Sequence, residues 1–255
     1  SSRKPTLSLA ATTLIPTHDH GATLRLTAAS PLSQPVCDLD VPIIGDGVPD
    51  ATKPIVQAIA DSDPRVRFID HPKHVRRGEP YRHAALQDAQ GEIVCYLCDR
   101  DLWLPAHLER LHALLQHADF AHTLSGHILP GGELKMFPTD LSRRPFRDLQ
   151  LNGSNRVALS CAAHTMSLYR RLPHGWRETP QGIYTDLYMF EQILSVKDCR
   201  AASGTWPTAL TFPSPPRKGW TSEQRVAEMQ QWADRIAAPE GRAAVCTELL
   251  EATVA

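Results

Sequence analysis

The clearest chemical signal in this chain is the segment GEIVCYLCDRDLWLP, residues 91–105. An apolar run typical of a buried strand ends there in Asp99, Arg100 and Asp101. Two carboxylates at the end of a buried strand repel each other unless a cation or hydrogen-bond donors neutralise them. A divalent ion bound to a diphosphate would do so, because Mg²⁺ prefers one or two carboxylates together with phosphate oxygens. The pattern therefore predicts a ligand-binding site.

Other reactive residues give weaker signals. Two further Asp-x-Asp pairs, at 38–40 and 61–63, flank predicted turns and are expected to be solvated. Cys95 and Cys98 have C-x-x-C spacing, but in a strand they would point to opposite faces, which disfavours a zinc or redox site. The histidines near residues 18–20 and 71–74 have no spacing that links them into a metal centre.

The elements that must position the Asp-Arg-Asp segment alternate between strand and helix. Apolar runs predict strands at 11–16, 40–44, 65–70 and 92–97, and helical spacing predicts helices at 21–30, 52–62, 80–91 and 104–118. Pro31 and Gly91 are expected to end two of these helices. The alternation predicts a mainly parallel sheet with helices on both faces, which binds ligands at the carboxyl ends of its strands. The polar residues at 16–19, 45–47 and 99–101 are therefore expected to converge on one crevice.

The pattern is weaker from about residue 121 onward. In chain order it predicts a hairpin at 128–140 around Gly131-Gly132, a loop at 142–155, a strand and then a helix at 156–172, an irregular Pro-rich segment at 207–220, and a helix at 221–238. The last helix opens with Thr221 and Gln224, which have the spacing of a capping box.

Composition excludes several classes of protein. Among 255 residues, 27 Lys and Arg balance 28 Asp and Glu, so nucleic acid is not an expected partner. No apolar run reaches the roughly 18 residues of a membrane span, although peripheral association with a membrane stays open. Six scattered cysteines fit reduced thiols better than a disulfide framework, and the N-terminus is not typical of a signal peptide, so a cytoplasmic location is expected.

Four segments together resemble the family 2 glycosyltransferases of the GT-A fold. They are TTLIPTHDH, VPIIGDGVPDAT, RRGEPYRHAALQDAQGEIVCYLCDRDLWLPAHLERL and TPQGIYTDLYMF, in the family's order. The resemblance implies an α/β, Rossmann-like GT-A fold with a mainly parallel central sheet flanked by helices and an acceptor-side α+β extension. It also implies one continuous domain, in which residues 1–120 bind a nucleotide sugar and residues 121–255 bind the acceptor and end in a helix.

The resemblance implies roles for individual residues in the donor half. Pro16 and Thr17 would line the pocket for the nucleotide base, and Asp46 would accept a hydrogen bond from the base. Arg82 would lie near the diphosphate, and Asp99 would lie near the ribose or the metal. A nucleotide diphosphate needs such donors, acceptors and positive charge.

The sequence departs from the family at Arg100, where many relatives have an acidic metal ligand. Two outcomes are open: Mg²⁺ or Mn²⁺ binds Asp99 and Asp101, or the guanidinium of Arg100 itself binds the diphosphate without a metal. A histidine metal ligand in the C-terminal part of the chain is also lacking, since no histidine follows His174. His83 occupies a position at which many members have Asn.

On the acceptor side, inverting transfer needs a base that removes the proton of the acceptor hydroxyl. Asp186 matches the family's catalytic carboxylate, with a helix N-cap as the structural alternative. Glu191, five residues on, is the second candidate for the base. Trp176 is predicted to stack on an acceptor sugar, with ordinary core packing as the alternative.

The residues and the resemblance together predict a glycosyltransferase of bacterial glycan biosynthesis. It would move a single sugar from a nucleotide-diphosphate sugar, with UDP as the first choice, to a hydroxyl of a carbohydrate or another acceptor. Single transfer is expected because the Q-x-x-R-W signature of processive relatives is absent. The alternatives are a non-catalytic GT-A-like domain that binds a nucleotide or glycan, and a sugar-nucleotide pyrophosphorylase.

Overall fold

The computed structural model describes residues 11–35 and 38–253. Within these ranges the strands are β1 Ala11–Thr17, β2 Leu39–Asp46, β3 Val66–His71, β4 Ile93–Tyr96, β5 Leu102–Trp103, β6 Phe120–Ile128, β7 Leu134–Met136, β8 Ala162–Thr165 and β9 Ala201–Thr211. The helices are α1 Gly21–Leu32, α2 Lys53–Ser62, α3 Glu79–Gln87, α4 His107–Leu115, α5 Arg144–Leu151, α6 Met166–Arg170, α7 Thr185–Leu194, α8 Ser222–Ala237 and α9 Pro239–Glu251. Short 3₁₀ turns lie at Leu159–Cys161 and Pro215–Arg217.

The strands of the described residues form one sheet in the order β3-β2-β1-β4-β8-β6-β9-β5, with β7 paired to β6. Strands β1 to β4, β6 and β9 run in one direction, and β5, β7 and β8 run in the other. The predicted α/β architecture with a mainly parallel sheet is confirmed. Since β1 lies between β2 and β4, the strand order reverses there, and sheets of this kind bind ligands at the carboxyl ends of the strands at such a point.

Apolar side chains of the central strands pack on both faces of the sheet. Neighbours along a strand alternate between faces, so Ile15 and Cys95 pack in one core cluster and Leu14 and Tyr96 in the other. Cys98 packs against the second cluster, and the prediction that Cys95 and Cys98 face opposite ways is confirmed. Burial on both faces explains why these strands lack polar alternation.

Two predicted helix ends are wrong. Helix α1 continues through Pro31 to Leu32. Pro31 has no N–H for the carbonyl of Thr27, and the hydroxyl of Ser30 donates to that carbonyl instead, at 2.8 Å. Helix α3 ends at Gln87, before Gly91. A Cβ atom at Gly91 would lie 2.4 Å from the backbone nitrogen of Thr12, so Gly91 allows close approach to β1 rather than ending a helix.

Two predictions for the second half are also wrong, because tertiary contacts override the local pattern. The expected loop at 142–155 contains α5, which Arg147 anchors by donating to the carbonyls of Leu194 and Cys199. The expected irregular segment at 207–220 begins inside β9, where Pro207 lies at a register shift against β6. The hairpin between β6 and β7 and the Thr221 capping box are confirmed.

Candidate active site

The three predicted polar clusters meet at the carboxyl ends of β1, β2 and β4. The hydroxyl of Thr23 donates to the backbone carbonyl of Asp99 at 2.8 Å. Nδ1 of His18 lies 3.1 Å from the carbonyl of Gly47, and Nδ1 of His20 lies 3.6 Å from Oδ1 of Asp99. The three clusters therefore lie next to each other, as the sequence predicts.

Pro16 and Thr17 are the last two residues of β1, and Asp46 is the last residue of β2. Oδ1 of Asp46 accepts the backbone N–H of His74 at 2.6 Å, and Oδ2 accepts the ammonium of Lys73 at 2.6 Å. The carboxylate of Asp46 thus holds the segment that follows β3 in place, and its second partner is the partly exposed ammonium of Lys73.

The carboxylate of Asp99 lies between two nitrogen-bearing side chains. Besides His20, Nη1 of Arg100 approaches its Oδ1 at 3.6 Å. Burial would raise the pKa of Asp99, but hydrogen bonding to His20, the charge of Arg100 and the hydroxyl of Thr17 lower the pKa below its ordinary value. Asp99 therefore stays ionised next to a guanidinium.

Asp101 has a different environment, although it is only two residues away. Its Oδ2 accepts the hydroxyl of Ser160 at 2.6 Å, and its Oδ1 accepts the backbone N–H of Phe212 at 3.1 Å. Burial raises the pKa of Asp101, and the charge of Arg100 and these hydrogen bonds offset only part of that effect. Asp101 joins β5 to the end of β9 and the turn before β8.

These contacts do not fit the predicted pair of metal ligands. Both oxygens of Asp101 are engaged by protein donors, and the neighbours of Asp99 are His20 and the cationic Arg100. Among residues 11–35 and 38–253, no group of three or more His, Cys, Asp or Glu side chains is arranged to hold a metal ion.

Arg82 lies in the first turns of α3, and its side chain is buried. Nη2 donates to the carbonyl of Arg77 at 2.9 Å, whereas Nε and Nη1 have no hydrogen-bond partner among the described residues. Burial lowers the pKa of Arg82, and the nearby carboxylates of Glu79 and Asp186 counteract that effect. A buried cation with two free donors is a site for an anion.

Asp186 is the second residue of α7, whose N-cap is Tyr184, so Asp186 is not the N-cap itself. Its Oδ1 accepts the N–H of Leu187 at 2.9 Å. Burial raises the pKa of Asp186, while hydrogen bonding to Asn155 and the charge of Arg82 offset part of the increase. A raised pKa makes the ionised carboxylate a stronger base. Glu191 lies five residues further along α7, about 140° around the helix.

The prediction that Trp176 stacks on an acceptor sugar is wrong. Trp176 is 3% exposed and packs in a core cluster with Tyr96. Its Nε1 donates to the hydroxyl of Tyr96 at 3.0 Å, and the guanidinium of Arg82 covers its ring at 4.8 Å. The exposed aromatic ring beside Asp186 in the chain is Tyr184, which is 67% exposed.

Sequence reasoning missed the residues that join the start of α3 and the segment before it to the segment before α7. Arg76 donates to the carbonyls of Thr179 and Pro180 at 2.7 and 3.0 Å. The fully buried carboxylate of Glu79 accepts the N–H of Thr179 at 3.2 Å. The only local signal was the charged run Arg76-Arg77-Gly78-Glu79 before a helix, which is also typical of a solvated turn.

Comparison with known families gives an independent result. A sequence profile described as Glycosyl transferase family 2 matches residues 12–174. That range includes every predicted residue of the β1, β2 and β4 ends and Arg82, and it stops before Asp186. No curated protein matches the sequence.

Solved structures match over most of the chain. The mannosyltransferase PcManGT from Pyrobaculum calidifontis, in complex with GDP-Man and Mn²⁺, superposes with a TM-score of 0.58 at 19% identity over 98% of this chain and 71% of that chain. TarS residues 1–349 from S. aureus, in complex with UDP-GlcNAc, superpose with a TM-score of 0.62 at 15% identity over 88% of this chain and 65% of that chain. These matches establish the GT-A fold. No helix in the described part of the chain is both long and apolar enough to cross a membrane.

Proposed function

This chain belongs to glycosyltransferase family 2, and from that premise we propose that it transfers a single sugar from a nucleotide-diphosphate sugar to an acceptor hydroxyl with inversion. Asp186 is the proposed general base, and Arg82 is the proposed ligand of the diphosphate. The observation that best supports this assignment is the buried guanidinium of Arg82, whose Nε and Nη1 have no hydrogen-bond partner among the described residues and whose charge lowers the pKa of Asp186.

The proposed chemistry is one displacement. The carboxylate of Asp186 takes the proton of the acceptor hydroxyl. At the same time the oxygen of that hydroxyl forms a bond to the anomeric carbon of the sugar. The bond from that carbon to the diphosphate breaks, and the nucleoside diphosphate leaves with the electron pair. Arg82 and Arg100 stabilise the negative charge that develops on the leaving group. A single displacement needs no enzyme nucleophile and inverts the anomeric centre.

Donor recognition follows from the ends of the strands. We assign the base pocket to Pro16, Thr17 and Asp46, and the ribose to Asp99. UDP remains the first choice of nucleotide. PcManGT was solved with GDP-Man and TarS with UDP-GlcNAc, so the shared fold does not select the base. On the acceptor side, Tyr184 replaces Trp176 as the proposed ring for a carbohydrate.

The proposed reaction does not depend on a divalent ion held by the protein. PcManGT was solved with Mn²⁺, but the contacts of Asp101 and the Arg100 guanidinium beside Asp99 do not fit that ion here. Arginine binds phosphate oxygens in a bidentate manner and keeps its charge at every relevant pH. Two arginines would therefore neutralise the diphosphate.

We also propose that the two halves of the chain bind different substrates, as expected from the sequence. Residues up to 120 would bind the nucleotide sugar, and residues 121–255 would bind the acceptor. A cytoplasmic location is supported by the cysteines that the structure describes, which are unpaired at positions 95, 98, 161, 199 and 246.

The decisive experiment combines binding and turnover for Asp186→Asn. We expect kcat to fall by about 10² to 10⁴, the usual contribution of a general base, while Kd for the nucleotide diphosphate is unchanged. Glu191→Gln is the matched control, because Glu191 lies on another side of the same helix. Binding is measured by calorimetry with UDP, GDP and dTDP, and turnover with the corresponding sugar conjugates. Full turnover in Asp186→Asn would exclude this residue as the base.

A further inference from the structure

Four buried side chains contact one another in series, from the sheet to Arg82. The hydroxyl of Tyr96 lies 2.6 Å from Nε2 of His164, and it also accepts the indole N–H of Trp176 at 3.0 Å. The guanidinium of Arg82 lies over the indole ring, with Cζ 4.8 Å from the ring centroid. The four residues come from β8, β4, the segment before α7, and α3.

The direction of each hydrogen bond in this series of side chains is fixed by the groups that take part in it. Nδ1 of His164 lies 3.0 Å from the carbonyl of Thr165, which can only accept, so Nδ1 is the protonated nitrogen. Nε2 therefore accepts, and the hydroxyl of Tyr96 donates to it. The oxygen of Tyr96 then accepts from Trp176, whose indole nitrogen can only donate. Each polar group is satisfied, so the orientation of the Trp176 ring is determined.

The ring of Trp176 adds to the charges of Glu79 and Asp186 in stabilising the buried cation, and it does so without using the N–H donors of Arg82. A guanidinium paired with a carboxylate would donate its N–H groups to that partner. An aromatic face attracts the cation through the ring quadrupole and leaves the N–H edge free. Nε and Nη1 of Arg82 are free in this sense among the described residues, and one N–H group is held by the carbonyl of Arg77.

We infer that Trp176 is a positioning residue, which holds the guanidinium of Arg82 so that its free N–H groups face the diphosphate of the nucleotide sugar. This inference rests on the proposed function, because it takes Arg82 as the diphosphate ligand. Tyr96 and His164 act one and two steps further back, by fixing the plane of the indole. In this arrangement the guanidinium of Arg82 is preorganised, so it does not have to move when the diphosphate binds.

The test compares Trp176→Leu, Trp176→Phe and Tyr96→Phe. We expect Trp176→Leu to weaken UDP binding about tenfold, the loss of a desolvated cation–π contact, and Trp176→Phe to restore most of the affinity because it keeps an aromatic face. Tyr96→Phe keeps the ring and removes only the oxygen that orients Trp176, so UDP binding should weaken about threefold. Binding of uridine, followed by NMR titration, should not change in any variant, because it has no phosphate.

Trp232→Leu is the matched control. Trp232 is also buried beneath an arginine, with Cζ of Arg235 5.0 Å from its ring centroid, but it packs in the separate cluster formed with α8 and α9. Its replacement should lower the unfolding temperature and leave the affinity for UDP unchanged. A loss of UDP affinity in Trp232→Leu equal to that in Trp176→Leu would make the effect one of general stability and overturn the inference.

Arg82→Met separates the inference from the proposed function. If Arg82→Met binds UDP like the wild type, Arg82 is not the diphosphate ligand and that part of the proposed function fails. If Arg82→Met weakens UDP binding but Trp176→Leu does not, the positioning role alone fails. Should Trp176→Leu not fold, Tyr96→Phe decides, and unchanged UDP affinity in that variant overturns the inference. The double variant Arg82→Met/Trp176→Leu should bind UDP no more weakly than Arg82→Met.

Discussion

Nη1 of Arg100 lies 3.6 Å from Oδ1 of Asp99, so a permanent cation occupies the neighbourhood of the carboxylate at the end of β4. The side chain of Arg100 remains about one-third exposed, whereas that of Asp99 is buried. In the proposed mechanism the carboxylate of Asp99 accepts from a ribose hydroxyl and the guanidinium of Arg100 donates to phosphate oxygens. It also gives each of the two residues a separate and measurable role.

Replacing Arg100 by Asp should make nucleotide binding dependent on metal. In the wild type we expect the thermal shift with UDP to be the same in Mn²⁺ and in EDTA. In Arg100→Asp the pair of acidic residues at 99 and 100 would require Mn²⁺, so the shift should disappear in EDTA. Arg144→Asp, on an exposed side chain far along the sequence in α5, is the control for the change in net charge. A wild-type shift that is lost in EDTA would contradict the metal-independent mechanism.

The pH dependence of kcat should report the raised pKa of Asp186. The base must be ionised, so kcat falls as pH decreases through that pKa, and the fall should occur above the ordinary Asp value of about 3.9. The hydrogen bond of Asn155 lowers the pKa of Asp186, so Asn155→Ala should move this acid limb to higher pH. Rate measurements at saturating donor and acceptor test the shift, and Glu191→Gln should leave the limb in place. An unmoved limb in Asn155→Ala would count against Asp186 as the titrating group.

Replacing Asp101 by Ala should mainly reduce the stability of the protein, whereas replacing Asp99 by Ala should mainly reduce its affinity for UDP. Asp101→Ala leaves the hydroxyl of Ser160 and the N–H of Phe212 without their acceptor, and each buried unsatisfied group costs about 1–3 kcal/mol of unfolding free energy. Asp99→Ala should instead weaken UDP binding with a smaller loss of stability. Urea unfolding and calorimetry on the two variants test this. The assignment fails if Asp101→Ala weakens UDP binding while its stability is unchanged.

The folded protein should lose stability in mild acid because of three buried histidines. Burial lowers the pKa of His107 to about 3 and those of His122 and His164 to about 4, from 6.5. The unfolded chain therefore binds protons that the folded chain does not, and the stability present above pH 6.5 is lost as pH falls. Each histidine contributes a slope of up to about 1.4 kcal/mol per pH unit at pH values between its folded and its unfolded pKa.

Urea midpoints measured between pH 7 and pH 5 test this expectation. His122→Gln should reduce the slope of unfolding free energy against pH, whereas His117→Gln, on an exposed side chain, should not. Equal slopes in the wild type and in His122→Gln would contradict the assignment.

Much of the fold and of the donor side could be predicted from the sequence, because the signals involved are local. Strand and helix periods, and polar residues directly after apolar runs, predicted β1 to β4 and the convergence of Thr17, Asp46 and Asp99. Local signals failed where a distant partner supplied the missing hydrogen bond. Ser30 satisfies the carbonyl that Pro31 leaves open, and Arg147 anchors a helix in a segment with the composition of a loop.

The sequence by itself determined which residue types stand at the ends of the strands, but only the tertiary structure decided what each of them contacts. Asp99 and Asp101 are equivalent in an Asp-x-Asp pattern, yet Asp101 is bound by Ser160 and Phe212, which are 59 and 111 residues away in the chain. Likewise, the sequence left Trp176 open between a ring that stacks on an acceptor sugar and an ordinary core residue, and the fold placed it in the core with Arg82 over its ring. The physical reason is that hydrogen-bond partners and aromatic contacts depend on distances in space, and spacing along the chain does not encode distances between segments that meet only after folding.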